Sequence, residues 1–162
     1  MLIQQNINAS HIFVRSWAQY KAGFNDSRGN YWLGNDLLSQ LTMTGRYKLR
    51  FDLQSRNNSN WYYAEYSSFI ILSESSDYTL HVSGYSGNAG HDAFGPHSGM
   101  KFTTFDRDND LKTSLNCALR WGGGNWYRGC HYCCVNCQYG LFWSGLPGGA
   151  HLQSSRMWLQ CK

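Results

Sequence analysis

A chain of 162 residues with a formal net charge of +4 is long enough to form one domain around a hydrophobic core. Charged residues make up only 15% and are scattered, so no Lys/Arg block argues for nucleic acid. No apolar run approaches the ~18 residues that a membrane span needs, so membrane insertion is not expected.

The aromatic content of 16%, set among Ser, Asn, Gly and Tyr, is the palette of extracellular recognition surfaces. Six cysteines in spaced pairs, together with three glycosylation-type sequons (Asn8-Ala9-Ser10, Asn25-Asp26-Ser27 and Asn57-Asn58-Ser59), point to an oxidising, secreted setting. The opening residues MLIQQNINASHIF lack a basic n-region and an apolar h-region, so they do not read as a signal peptide.

In chain order, Leu2–Gln5 reads as a short strand without an obvious partner. Trp17, Tyr20 and Phe24 fall at helical spacing, with Ser16 as N-cap and Gly23 as stop. Asn25–Asn30 is a polar turn, and a second helix opens at Gly34-Asn35-Asp36, capped by Asn35 or Asp36 and apolar at Leu37, Leu38 and Leu41. Tyr47–Gln54 alternates strictly, with Tyr47, Leu49, Phe51 and Leu53 on one face. Asn57–Asn60 is a hairpin turn into a longer strand, Trp61–Leu72, and Tyr78–Tyr85 makes a third. After Ser86 periodicity fades and glycine, histidine, asparagine and aromatics dominate, as in loops that carry function or are held by cross-links. The fold class is α+β: a twisted antiparallel sheet with short helices and a loop-rich binding face. Residues 1–162 are one domain, with 1–85 the central sheet part and 86–162 the loop-rich part.

The chemistry concentrates in Gly99–His131. Asp106, Asp108 and Asp110 alternate along a turn and offer hard oxygens to Ca²⁺, which takes 6–8 such ligands. The run is not an EF-hand, because Leu111 stands where that loop needs Gly and Cys117 where it needs Glu. A solvated acidic turn accounts for the same residues. His131 taken alone reads as a satisfied structural histidine. No nucleophile elbow, H-E-x-x-H or phosphate-cradling loop occurs, and Gly122-Gly123-Gly124 is a turn with no Lys-Ser/Thr after it, so the chain does not read as an enzyme.

Ser16-Trp-Ala-Gln-Tyr-Lys-Ala-Gly-Phe, Tyr31-Trp-Leu-Gly-Asn-Asp, Tyr66-Ser-Ser-Phe and Gly84-Tyr-Ser-Gly-Asn-Ala-Gly resemble the fibrinogen-related domain. So do Gly99-Met-Lys-Phe-Thr-Thr, Asp106-Arg-Asp-Asn-Asp, Asn116-Cys-Ala and Trp126-Tyr-Arg-Gly-Cys-His. The motifs run in family order from about Leu2 to the C-terminus, in the flavour of the invertebrate lectins that include tachylectins, with ficolins as vertebrate relatives. The resemblance implies a fibrinogen C-terminal-like domain without the family's N-terminal subdomain.

It also implies Ca²⁺ on the carboxylates of Asp108 and Asp110, completed by backbone carbonyls between Lys112 and Leu115 (Thr113 and Leu115). Asp106 orients the loop. This segment departs from the family by one extra residue before Cys117 and by Leu115 in place of Gly. The family pairs the cysteines matching Cys117 and Cys130; a loop of that size contributes ~3 kcal/mol by chain entropy. In lectin members the peptide bond before the matching cysteine is cis and turns N–H groups toward an acetyl carbonyl. Cys130 and His131 would hold that group here, with Trp121, Trp126, Tyr127 and Trp143 lining a pocket for its methyl. The polar acceptors of the fibrin-knob pocket are replaced by Leu119-Arg120-Trp121.

Cys130, Cys133, Cys134 and Cys137 form overlapping Cys-x-x-Cys pairs with zinc-like spacing, which defines a weaker zinc-binding class. The favoured reading is a second disulfide from Cys161 to Cys133, Cys134 or Cys137. The functional expectation is secreted, Ca²⁺-dependent recognition of acetylated glycans on microbial surfaces, by a parent that is a homo-oligomer. The alternative is a protein-interaction module of a matrix, receptor or growth-factor-like protein.

Overall fold

The computed structural model describes all 162 residues. Its elements in order are β1 (Leu2–Ile7), α1 (Trp17–Ala22), β2 (Phe24–Asn25), β3 (Tyr31–Trp32), α2 (Asn35–Thr42), β4 (Tyr47–Ser55), β5 (Trp61–Ile71), β6 (Leu80–Gly87), α3 (Cys117–Trp121), β7 (Cys133–Cys134), β8 (Phe142–Trp143) and β9 (Leu152–Cys161). Seven strands form one antiparallel sheet in the order β2-β3-β1-β9-β4-β5-β6, and β7 and β8 make a separate two-stranded ribbon.

The alternation of β4 is realised: Leu49, Phe51 and Leu53 are buried and the residues between them are half-exposed. α1 begins at Ser16, which accepts from the Gln19 amide while the Gln19 side chain accepts from the Ser16 amide, a reciprocal capping box. It stops at Gly23, whose φ of +89° favours glycine and where a Cβ would lie 2.6 Å from the Leu33 carbonyl oxygen.

Several expectations are corrected. The N-cap of α2 is Gly34, with no side-chain cap; Asn35 is the first helical residue, and its Oδ1 accepts from Trp32 Nε1 at 3.0 Å. Leu37 faces solvent. The third strand is Leu80–Gly87 and not Tyr78–Tyr85, because Asp77 and Tyr78 both adopt left-handed backbone and form a turn before it. The largest difference is β9, which the sequence reading missed. It lies between β1 and β4, so the last residues of the chain belong to the sheet and the division at residue 85 does not separate sheet from loops.

The core on one side of the sheet is aromatic. Tyr20, Trp32, Phe102 and Trp126 pack with ring centroids 5.0–6.2 Å apart, and their amphipathic tips find partners: Tyr20 donates to the Phe13 carbonyl and Trp126 Nε1 to that of Tyr78. The loop-rich half is pinned to the sheet by buried amides. The Val135 carbonyl accepts from Gln4 Nε2 (2.8 Å), Asn6 Nδ2 (3.1 Å) and Ser155 Oγ (3.3 Å), and Asn136 Nδ2 donates to Gly124. The sequon residues Asn8, Asn25 and Asn57 are all exposed. Asn8 follows β1 and Asn57 sits in the β4–β5 turn, both at the end of the sheet where β9 begins.

Removing a donor from this anchor strips Val135 and Asn136 of a buried partner. Gln4→Ala is expected to lower the unfolding free energy by about 1–3 kcal/mol, read as a shift in urea midpoint at unchanged m-value.

Candidate functional site: the Cys-His turn and its neighbouring acidic loop

The acidic loop grows out of the core strand-like segment Phe102–Thr104, held by a bridge between Thr103 and Asn125. Asp106 accepts from the Trp17 amide (2.9 Å) and from Thr104 Oγ1 (2.7 Å), so its role is to seat the loop against α1. Asp108 is exposed, and its Oδ1 accepts from the Asp110 amide. Asp110 is half-buried and engaged at both oxygens, Oδ1 by the Lys112 amide (2.7 Å) and Oδ2 by the Cys117 amide (2.8 Å). Burial pushes the Asp110 carboxyl above the usual carboxylate range, and the Asp108 charge adds to the rise.

No basic side chain is ion-paired to either acid. Two adjacent carboxylates and the carbonyls of an exposed turn are a hard-oxygen donor set, which suits Ca²⁺ in chemistry. Side chains alone give only these two ligands, since no group of three or more His, Cys, Asp or Glu residues converges anywhere. Thr113 and Leu115 are exposed on the same turn.

This loop is wired to the Cys-His turn. Cys117, fixed by Asp110, is disulfide-bonded to Cys130, with Cα atoms 5.4 Å apart. The Leu111 amide donates to the Arg128 carbonyl at 2.8 Å, and the Arg128 amide to the Cys130 carbonyl at 2.8 Å. The Gly129–Cys130 peptide bond is cis.

Around His131 lie two shallow concavities of about 410 and 320 Å³ that share Gly129, Cys130 and His131. The imidazole packs edge-on to Trp121 at 4.9 Å and lies 5.7 Å from the Phe142 ring, with Tyr127 at 6.2 Å behind it. Both ring nitrogens are buried without a hydrogen-bond partner. Burial pulls the His131 imidazole down from the usual histidine range to about 4, with a smaller push from nearby His97.

Of the expected lining, the fold brings together Cys130, His131 and Trp121. Tyr127 is fully buried; its hydroxyl donates to Gly123 and lies 3.3 Å from Cys137 Sγ, so it backs the imidazole and does not face the opening. Trp126 and Trp143 are core residues, 1% and 0% exposed, whose indole N–H groups donate to Tyr78 and His91 carbonyls. They do not line the site, because both indoles point into the sheet side of their segments.

Two residues were missed. Phe142, and not its β8 neighbour Trp143, packs on the His131 ring, though it lines neither concavity; the two-residue alternation of a strand could have chosen between them only had β8 been recognised. His97 is buried and spans the turn: Nδ1 donates to the Trp126 carbonyl at 2.7 Å and Nε2 accepts from the Tyr132 amide at 3.1 Å, a neutral tautomer holding both flanks of the Cys-His segment. Nothing in its sequence context signals this.

The cysteine expectation is corrected as well. The second disulfide is Cys134–Cys137, which packs with Tyr127, while Cys133 is a buried free thiol and Cys161 an exposed one. Alternation along β7 explains it, since Cys133 faces the main core and Cys134 the small satellite core. With two cysteines paired locally and one facing the core, the Cys-x-x-Cys run assembles no zinc ligand set.

A family model described as fibrinogen beta and gamma chains, C-terminal globular domain, matches residues 1–153. The chain belongs to this fibrinogen C-terminal family. It is 39% identical to microfibril-associated glycoprotein 4 of Mus musculus over 99% of its length and 62% of that relative. It is 41% identical to Techylectin-5A of Tachypleus tridentatus over 85% of its length and 45% of that protein. The fibrinogen-like globe domain of human ANGPTL2 superposes with a TM-score of 0.89 at 36% identity, over 99% of this chain and 79% of that one. The chain thus spans about half to two-thirds of the length of these two curated relatives. No helix is long and apolar enough to cross a membrane.

Two outcomes follow from the geometry. Trp126→Ala should cost about 3–5 kcal/mol of stability by urea unfolding, whereas half-buried Trp121→Ala should cost less than about half of that. The acid sensitivity of the turn also has a defined sign. Between about pH 6.5 and about 4 the unfolded His131 binds a proton that the folded one does not, so stability rises with pH and is lost on acidification. His97, lowered by its own burial, acts in the same direction. His131→Phe is expected to remove up to about 2 kcal/mol of the stability lost between pH 7 and pH 5, measured as the difference of urea midpoints.

Proposed function

We propose that the chain is a secreted recognition module that binds acetylated carbohydrates at the Gly129–His131 turn, with Ca²⁺ held at Asp108 and Asp110. The observation that carries this reading is the half-buried His131 ring, packed on Trp121 and Phe142, whose two nitrogens have no protein partner and which lines a shallow concavity together with Trp121. An unpaired buried polar group costs free energy unless something arrives to pair it. An acetyl group fits both demands, its carbonyl accepting from N–H groups and its methyl meeting aromatic edges. Similarity to Techylectin-5A supports a lectin reading.

Ca²⁺, when bound, supplies the positive charge that holds the two carboxylates together. The chain's own part is mechanical: Asp110 fixes the Cys117 amide, Cys117 is bonded to Cys130, and Leu111 holds Arg128, so order in the acidic loop passes to the pocket. The site binds and does not transform its ligand.

A second reading, a matrix-type protein-interaction module, draws on the match to microfibril-associated glycoprotein 4 and on an exposed apolar patch at Phe105, Leu115, Leu119 and Tyr139.

The discriminating experiment is a glycan array of N-acetylated and non-acetylated sugars, run with and without a calcium chelator. Binding restricted to acetylated sugars and weakened by chelator is expected. His131→Ala should abolish it with the far-ultraviolet spectrum intact, and Asp108→Ala should weaken it about tenfold through loop disorder, roughly 1.4 kcal/mol. Acetyl-independent binding, or binding untouched by both substitutions, rejects the reading in favour of the protein-interaction module.

A further inference from the structure

The three sequon asparagines combine properties that no other asparagine of the chain combines. Asn8, Asn25 and Asn57 are exposed, and none of their side chains forms a hydrogen bond within the protein. Elsewhere the amide nitrogens are mostly committed: Asn6, Asn30, Asn109, Asn116, Asn125 and Asn136 each donate through Nδ2. In the third sequon the middle residue, Asn58, donates to the Tyr62 hydroxyl, and Asn57 stays free. Asn60 and Asn88 also leave Nδ2 unbonded, but Tyr62 and Gly90 stand where a sequon needs Ser or Thr.

Each of the three has room around it. Beside Asn8 lies a concavity of about 320 Å³, with Ser10, His11 and Arg28 in its wall. Asn57 Nδ2 lies against Gly149, whose φ of +94° favours glycine and where an added Cβ would collide with that nitrogen. Asn25 ends β2, the outermost strand, and pairs in register with Tyr31, which pairs with Gln5. Gln5 is half-exposed between buried Gln4 and Asn6, so this row faces away from the core. All three asparagines lie at the end of the sheet where β1, β2 and β4 stop and β9 begins. The outer face there carries Ile7, Tyr31 and Trp61, the last 43% exposed; Ile7 and Trp61 share one cross-strand row through Ser154 and Gln54.

We propose that Asn8, Asn25 and Asn57 are N-glycosylation acceptors, and that their glycans together shield this end of the sheet and its outer face. The inference is independent of the acetyl-binding reading. It needs only passage of the chain through a secretory compartment that supplies a polyprenyl-pyrophosphate-linked oligosaccharide and its transferase.

In the transfer, Asn Nδ2 displaces the pyrophosphate from the anomeric carbon of the oligosaccharide. A C–N bond forms and the C–O bond to phosphate breaks; the lipid pyrophosphate leaves with the electron pair, and the amide nitrogen gives one proton to a base. The fold must then tolerate the product. An Nδ2 with no internal partner loses no hydrogen bond on substitution, and open space beside it accepts the first sugar. Bulky hydrated chains around Ile7, Tyr31 and Trp61 keep that apolar surface from other proteins, and one on β2 denies the open sheet edge to a further strand. Bare sequons in exposed turns are the competing description. It predicts a secreted chain with the mass of its sequence and a freely accessible Trp61.

The test is secretion of the full chain from cultured mammalian cells behind a cleavable leader. Mass spectrometry then compares the protein before and after peptide-N-glycosidase F in heavy-oxygen water, which turns each occupied asparagine into a labelled aspartate. The intact mass should fall, and the label should appear at Asn8, Asn25 and Asn57. Hydroxyl-radical footprinting should show Trp61 oxidation rising once the glycans are removed, at an unchanged far-ultraviolet spectrum. The variant Asn8→Gln/Asn25→Gln/Asn57→Gln should carry no sugar and be oxidised at Trp61 like the digested protein. Where that variant is not secreted, the measurements on the unsubstituted chain decide. A site that stays unlabelled is struck from the set, and fewer than two labelled sites overturn the inference. Labelled sites with unchanged Trp61 oxidation overturn the shield. Neither result touches the acetyl pocket.

Discussion

The loop-rich face exists because one backbone carbonyl, that of Val135, is taken inside the protein and given three side-chain donors. Gln4 and Asn6 from β1 and Ser155 from β9 converge on it, and Gln4 also reaches Asn136. A segment with almost no regular pairing cannot satisfy its own polar groups, so it can be buried only where the sheet offers amides and hydroxyls in place of apolar side chains. His97 provides a second hold, clasping Trp126 and Tyr132 from the far side. Between these two clamps the Cys-His turn is fixed without belonging to any extended element. The site is irregular backbone on a rigid base, the arrangement that lets a loop carry recognition with geometric definition.

That same constraint set the limits of what could be read in the sequence. Elements whose burial follows a simple period were legible: β4 by alternation, β5 by length and aromatic content, α1 by its cap, its stop and the spacing of Trp17 and Tyr20. Strands β1 and β9 were not, or only in part, because they are central strands that bury polar residues. Gln4, Asn6, Ser154 and Ser155 interrupt the apolar pattern at the positions where loops must be anchored. The signal that would mark a core strand was replaced there by the chemistry that holds the site. Local polarity there accompanies burial, with Gln4 Nε2, Asn6 Nδ2 and Ser155 Oγ all donating to the Val135 carbonyl.

Within the site, the motif Gly129-Cys130-His131 and the three aspartates were identifiable from the residues that resemble the fibrinogen-related domain. Which aromatics surround them was not. Trp121 is at the opening while Trp126, five residues on, is in the core; Phe142 flanks the imidazole while Trp143, adjacent to it, does not. Distinctions of that kind depend on the direction of single side chains in short or irregular segments, where no period propagates from neighbours. The cysteines carry the same lesson. Cys133 and Cys134 are adjacent in sequence yet belong to different packing clusters, and only the second is close to a partner.

Sheet order has a temporal side. β1 and β4 are not neighbours; β9, the C-terminal strand, lies between them and pairs with both. As the chain leaves the ribosome, the β4–β5–β6 meander can assemble early, but its inner edge and that of β1 stay open until Leu152–Cys161 is free of the exit tunnel. During that interval two unpaired edges are available for wrong partners, including those of a neighbouring nascent chain. Residues 152–161 must therefore emerge before the domain can close, and a chain cut short of Leu152 would leave two half-sheets with nothing to join them.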